Sequence, residues 1–299
     1  PDVLNAGTLS GCEYHQAPDT NGRYFEASHP NRPPDMNEQS ERLAFAIDLA
    51  RRAAELGRKH FLSLDTLTIE NKGHQDLVSN ADREVETFIR GELAKKYPED
   101  GISGEEHAPV EGSSGHVWVI DPIDGTANFV SGIPAWCVVL ACSFEGTTEI
   151  GVICEPSTGE TFWAERGKGA FLNGKPMAVS MSPNLSQGSV GTGYSSRIKA
   201  EGIIAAITAL IDEGGVFFRN ASGALMLAYV ASGRLIGYIE EHMNSWDCIA
   251  GLLMIEEAGG RVMPFDPATV IERGTGVIAG AARLSATRKA CPPVLRLGK

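Results

Sequence analysis

The segment Trp118-Val-Ile-Asp-Pro-Ile-Asp-Gly-Thr-Ala-Asn-Phe129 runs an apolar stretch into two carboxylates, Asp121 and Asp124, and follows them with Gly125 and Thr126. A strand that ends on Asp121 and a turn that delivers Asp124 bring two like charges close together, and such neighbours repel and raise a pKa. A divalent cation between them removes the conflict. Hard oxygen ligands suit Mg²⁺, which keeps waters and binds a substrate phosphate as well. Gly125 and Thr126 offer backbone N–H groups at the start of a short helix, where a phosphate oxygen is well accommodated, and Thr126 adds a hydroxyl. The same residue types dominate plain turns for conformational reasons, so on these residues alone turn and site stand level.

Three further acids need the same weighing. Asp82 closes Ser79-Asn-Ala-Asp82, the spacing of a helix capping box, so by itself it reads as structural. Glu105 and Glu106 sit in a loop and would ordinarily be a solvated pair. Asp247 stands at the start of a helical stretch, where the helix dipole alone favours an acid.

The elements that must position these acids follow from periodicity. Leu43, Ile47, Ala50, Ala54 and Phe61 recur at helical spacing between Asn37 and Phe61, and a second amphipathic helix runs from about Asn80 to Tyr97, stopping before Pro98. Strand-like runs follow at Val117 to Ile120, Val138 to Ser143, Ile150 to Cys154, Thr161 to Ala164 and Ala170 to Leu172, with Asn173-Gly174 as a hairpin signal. Further on, Ala221 to Ser232 reads as helix, Leu235 to Ile239 as strand, and Trp246 to Ala258 as helix, stopped by Gly259-Gly260 before a strand at Arg261 to Met263. Helices and strands mix without a regular βαβ beat, which gives a layered α/β or α+β architecture. Three parts are expected: an irregular leader over 1–36 rich in Pro, Asn, Gly and Ser, an α+β part over 37–180 with most of the acids, and an α/β part over 181–299 with Asp247. His15 and His29 in the leader are read as solvated. One reading of Met36 is that natural translation starts there.

The net charge of −12 argues against a surface for nucleic-acid backbone or anionic lipid, since both are polyanions. An anionic substrate then needs a bridging cation. The six cysteines form no Cys-x-x-Cys pair and sit mostly in apolar surroundings, as buried reduced thiols do, so the expected compartment is the cytoplasm. No apolar run reaches the roughly 18 residues of a membrane span, and no signal peptide is legible.

Taken together, Asp76-Leu-Val-Ser-Asn-Ala-Asp82, Gly104-Glu-Glu106, the Trp118 to Phe129 segment and Trp246-Asp247 occur in the order and rough spacing of the inositol monophosphatase family, which this sequence resembles from about residue 40 to 290. The resemblance implies a layered α-β-α-β-α sandwich and a Mg²⁺-dependent, lithium-sensitive phosphatase of small phosphate monoesters, expected as a homodimer without nucleic-acid or membrane partners. It implies two or three Mg²⁺ ions, with Mn²⁺ as a substitute. Glu105, Asp121 and the carbonyl of Ile123 would hold the first, and Asp121, Asp124 and Asp247 the second. Asp82 and Glu105 would flank a third, weaker site. Thr126 with Glu105 or Asp82 would orient and deprotonate the attacking water, and Gly125 with Thr126 would receive the phosphate. In-line displacement at phosphorus fits such a set, because it needs charge neutralised on oxygens rather than a protein nucleophile.

Glu240, seven residues before Asp247, matches the family position that contacts substrate hydroxyls, and Ser222-Gly223 matches a small-residue helix start lining the alcohol pocket; Asp247 belongs to that pocket too. The chain departs from the family at Ala127, where a threonine is usual, and over Tyr238 to Ser245, next to the alcohol pocket. Inositol monophosphate is the first expected substrate. Histidinol phosphate comes next, with Glu240 pairing the substrate ammonium, then sugar phosphates and adenosine 3′,5′-bisphosphate. A rival of another class is a non-catalytic binding or regulatory member of the fold. The P-loop spacing at Gly169 to Lys175 is rejected because Pro176 stands where a Ser or Thr must be, and Gly188 to Gly193 reads as a flexible loop.

Overall fold

The structure is a computed structural model that describes residues 39–73, 76–195 and 198–281, with the side chains of 71–77 left aside. The expected leader, with His15, His29 and Cys12, lies outside the described residues, as does Cys291. In chain order the elements are α1 (Glu41–Phe61), β1 (Ile69–Gly73), β2 (Asp76–Ser79), α2 (Asn80–Lys96), β3 (Gly101–Gly104), β4 (His116–Asp124), α3 (Thr126–Val130), β5 (Cys137–Phe144), β6 (Thr147–Glu155), β7 (Glu160–Glu165), β8 (Gly169–Leu172) and β9 (Lys175–Pro176). Then come β10 (Ser189–Thr192), α4 (Glu201–Asp212), β11 (Val216–Phe218), α5 (Gly223–Ala231), β12 (Gly237–Met243), α6 (Ser245–Glu257), β13 (Arg261–Val262), α7 (Val270–Arg273) and β14 (Thr275–Gly280).

The larger sheet has seven strands in sequence order from β3 to β9, antiparallel except for the parallel pair β3 and β4. Alternation along its strands separates two cores, because successive side chains point to opposite faces. Trp118, Ile120, Val138 and Leu140 pack with Leu43, Ala50, Val85 and Ile89 of α1 and α2. Their neighbours Val119, Cys137, Val139 and Ala141 pack with α5 and α6, and the same core takes in Tyr238, Val277 and Ala279 from the smaller sheet. That sheet has five strands in the order β11-β10-β12-β14-β13, and its outer face holds Val190 and Ile236 against Leu210 of α4. The layers are therefore α-β-α-β-α. All strands of the seven-stranded sheet precede residue 181 and all strands of the five-stranded sheet follow it, while α5 and α6 are covered by both.

Local rules account for several boundaries. Ser40 accepts the Leu43 N–H at 3.2 Å, so α1 starts at Glu41; the expected bound at Asn37 lies outside the described residues. Asn173 and Gly174 take left-handed φ values of 47° and 82° between the paired residues Leu172 and Lys175, as a two-residue hairpin requires, so the P-loop spacing at 169–175 lies across a hairpin. Gly188 to Gly193 corrects the loop expectation: Ser189–Thr192 is β10, parallel to both β11 and β12. Pairing on both sides overrides the low strand propensity of a glycine-rich segment. Gly191 is glycine because a Cβ there would stand 2.7 Å from the Tyr238 ring.

Candidate active site

β4 ends at Asp124, and its ladder with β5 slips between Asp121 and Asp124, so the two acids leave a regular strand and face one another across a turn. Asp121 Oδ1 accepts the Ile123 N–H at 2.9 Å, which tightens that turn. Gly125 follows at φ 97°, with the Ala135 carbonyl 2.9 Å from where a Cβ would sit, so only glycine passes here. α6 brings Asp247 to the same place. Carboxylate oxygens of Asp121, Asp124 and Asp247 all lie within 4.8 Å of one another, the one such cluster of metal-ligating residues among the described residues.

Three helix N-termini meet these acids. Asp124 sits at the start of α5, where its Oδ2 accepts Ser222 Oγ at 2.5 Å and the Ala224 N–H at 2.9 Å, and its Oδ1 accepts the Gly223 N–H at 3.3 Å. Asp247 is the third residue of α6 and closes a capping box with Asn244. Asp82 is the third residue of α2 and closes one with Ser79, whose N–H and Oγ reach its Oδ2 at 2.8 and 2.6 Å. The positive ends of three helix dipoles thus offset part of the repulsion among the carboxylates.

The electrostatics remain strained. Burial pushes the Asp121 carboxyl well above its ordinary value, and repulsion from Glu105, Asp124 and Asp247 pushes the same way. Burial also raises Asp124 against the lowering bonds from Ser222 and the α5 amides, and raises Asp82 against those from Ser79 and Thr126. A set of oxygen donors this close and this dehydrated suits a hard divalent cation, which would hold every member ionised.

The remaining expected residues fall around this cluster. Thr126 opens α3, with Oγ1 3.2 Å from Asp82 Oδ1 and 3.1 Å from the Ile123 carbonyl, which ties Asp82 to the Asp121 turn. Glu105 follows β3 and is near enough to raise Asp121. Ser222 is fully buried, and both its hydroxyl and the Gly223 N–H are directed at Asp124. Glu240 is 7% exposed on β12, accepts Tyr238 Oη at 2.6 Å, and is pushed up to about 7 by burial, with the charges of Asp247 and Asp124 adding to the rise. Gly193 leaves it room, since a Cβ there would lie 2.0 Å from Glu240 Oε2. The sequence reading gave neither Tyr238 nor Gly193 a role in the site. The spacing of two between Tyr238 and Glu240 on a strand was the signal for the tyrosine; nothing local marks the glycine, because β10 and β12 meet only in the fold.

An α-β-α-β-α sandwich with a cluster of buried carboxylates at helix N-termini defines a class of metal-site fold. The chain matches the inositol monophosphatase family over residues 38–293, and it belongs to that family. A protein of Haemophilus influenzae named Nus factor SuhB is 37% identical over 247 residues, 81% of this chain and 92% of its own. Among solved structures, the extragenic suppressor protein suhB from Bartonella henselae superposes with a TM-score of 0.80 at 33% identity, covering 85% of this chain and 99% of that one. A Thermotoga maritima IMPase superposes with a TM-score of 0.73 at 31% identity, covering 83% and 94%.

Proposed function

We propose that this chain is a Mg²⁺-dependent phosphatase of a small phosphate monoester, with inositol monophosphate as first substrate. The observation that carries the reading is the convergence of Asp121, Asp124 and Asp247 within 4.8 Å. Asp121, Asp124 and Asp247, with Glu105 and the Ile123 carbonyl, would hold two ions, and Asp82 with Glu105 would flank a third; Mn²⁺ can replace Mg²⁺ in such a donor set. Bound ions of this kind supply charge neutralisation for phosphoryl oxygens and a water of lowered pKa.

The chain's own groups do the rest. Thr126 Oγ1, set between Asp82 and the Ile123 carbonyl, orients the attacking water. Asp82, whose pKa burial raises, or Glu105 takes its proton. The Gly125 and Thr126 amides receive the phosphate. Glu240 with Asp247 meets the alcohol, and Ser222 with Gly223 acts by fixing Asp124 at the edge of that pocket. A carboxyl at about 7 can accept from or donate to a hydroxyl near neutral pH, which supports a polyol as leaving group. Histidinol phosphate, a sugar phosphate and adenosine 3′,5′-bisphosphate are the alternatives.

A cytoplasmic setting belongs to the same reading, supported by free, buried Cys137, Cys142, Cys154 and Cys248. Among the described residues no helix is long and apolar enough to cross a membrane. A homodimer belongs to it as well. Val216, Phe217 and Phe218 of the edge strand β11 are 59%, 47% and 38% exposed, an apolar edge that a second copy would cover by antiparallel pairing about a two-fold axis.

The names of the relatives favour a second reading. The curated relative is named as a factor and not as an enzyme, and for this chain that name supports a partner-binding role beside or instead of catalysis. The deciding experiment is phosphate release from inositol 1-phosphate, histidinol phosphate, a sugar phosphate and adenosine bisphosphate with Mg²⁺, with EDTA, and with added Li⁺. Mg²⁺-dependent, Li⁺-sensitive release establishes the enzyme, and the best substrate names the pocket. No release by folded, Mg²⁺-loaded protein leaves an untested phosphomonoester or the partner reading.

A further inference from the structure

Helix α2 carries a second buried acid to which the reading above gives no role. Glu86 follows Asp82 by four residues and precedes Arg90 by four, so Asp82, Glu86 and Arg90 share one face of the helix. Glu86 is fully buried. Its Oε1 accepts Arg90 Nε at 2.7 Å, and its Oε2 accepts the backbone N–H of Glu106 at 2.7 Å. Arg90 extends the grip along the same loop, donating to the carbonyls of His107 at 3.0 Å and Ala108 at 3.1 Å. On the other side of Glu105 the backbone is pressed against the same carboxylate: a Cβ at Gly104 would stand 2.3 Å from Glu86 Oε1.

Glu105 is therefore bracketed. The residue before it must be glycine to lie against Glu86, and the residue after it is hydrogen-bonded to Glu86. A buried ion pair is a poor source of stability in itself, because desolvation offsets the Coulombic gain. It is well suited to fixing geometry, since a charge-assisted bond to a backbone N–H is short and directional. One rigid helix face then sets the distance between Asp82, which holds Thr126, and the loop that presents Glu105.

We propose that Glu86, with Arg90, is a positioning residue of the metal site, clamping the Gly104 to Ala108 loop so that the Glu105 carboxylate keeps its place beside Asp121. The proposal rests on the metal reading of the cluster. Groups that orient metal ligands without touching the metal change affinity about 10- to 100-fold when removed.

The test is calorimetric titration of the full chain with Mg²⁺, alongside the Mg²⁺ concentration that half-activates phosphate release. Glu86→Gln is expected to weaken Mg²⁺ binding about tenfold or more and to raise the half-activating concentration in step, with KM for substrate at saturating Mg²⁺ unchanged. Glu86→Asp keeps the charge facing Arg90 but is one methylene short of the Glu106 N–H, so it is expected not to restore affinity; it also carries the test if the glutamine variant fails to fold. Glu257→Gln is the control, because Glu257 clamps a different loop through the N–H groups of Gly167 and Gly169, both at 2.8 Å. Wild-type affinity in Glu86→Gln or Glu86→Asp, or an equal loss in Glu257→Gln, overturns the positioning role and leaves the metal reading intact. No Mg²⁺ binding by the wild-type chain overturns the metal reading, and the positioning role with it.

Discussion

Individual carboxyls here answer to two demands at once. Asp82 and Asp247 cap helices and also face the cluster, so the structural and the chemical explanation of each hold together. Asp121 caps no helix, and burial together with repulsion from Glu105, Asp124 and Asp247 holds its carboxyl well above the ordinary value. Asp121→Asn keeps the shape and removes a charge that metal-free protein holds at a cost. It is expected to lower phosphatase activity at least 100-fold while leaving the melting temperature without metal unchanged or raised, by steady-state kinetics and calorimetry. Glu240 gives a pH signature. Its folded pKa is raised from 4.5 to about 7, so between those values the folded state binds more protons than the unfolded one and stability falls as pH rises. The loss is complete above pH 7 and amounts to at most about 3 kcal/mol. Glu240→Gln lacks it, so in EDTA the melting temperature of the variant relative to wild type should rise from pH 5 to pH 8; a constant difference would remove the buried, protonated carboxyl.

Element packing decides where those residues stand. α6 presses its backbone onto β6 at Gly151, where an added Cβ would lie 2.8 Å from the Ala250 carbonyl. Ala250 is three residues past Asp247, so this contact sets the height of the third carboxylate above the sheet. Gly151→Ala should cost about 1–3 kcal/mol in denaturant unfolding, as overpacking does, and should also raise the Mg²⁺ concentration needed for activity because α6 must move outward. Stability loss without any change in Mg²⁺ response would separate the packing from the site. On α5 the link is more direct, since Asp124 occupies the helix N-terminus that Ser222 begins.

At the scale of the molecule, the proposed phosphatase role would bring an anionic substrate to an acidic chain, which needs cations at the point of contact, and the layered sandwich supplies one place where carboxylates from β4, α6, α2 and the loop after β3 can gather. The same architecture leaves β11 at the edge of its sheet with three exposed apolar residues. On the homodimer proposed above, Phe217→Asp is expected to shift the protein from dimer to monomer in sedimentation velocity, because a charge on an edge strand opposes pairing. An unchanged dimer would move the interface elsewhere, and a monomeric wild type would remove it.

Much of this was legible in the chain. The 3.6-residue period of α1 and α2, the apolar runs of β4 to β8, the Asn173-Gly174 turn and the capping-box spacing at Asp82 are local patterns, and each side chain involved reports its own environment. The acids that form the cluster were identified by type and order. What no local pattern contains is who meets whom. That Asp124 caps α5, that Gly193 makes room for Glu240, that β10 is a strand because β11 and β12 pair with it, and that Glu86 reaches the Glu106 amide are contacts between residues 20 to 100 positions apart. The sequence by itself determined which elements form and which carboxylates are on offer, because short-range sterics and hydrophobic period act over a few residues. Only the tertiary structure decided which of them are buried together, because desolvation and repulsion depend on neighbours that the order of the chain does not name.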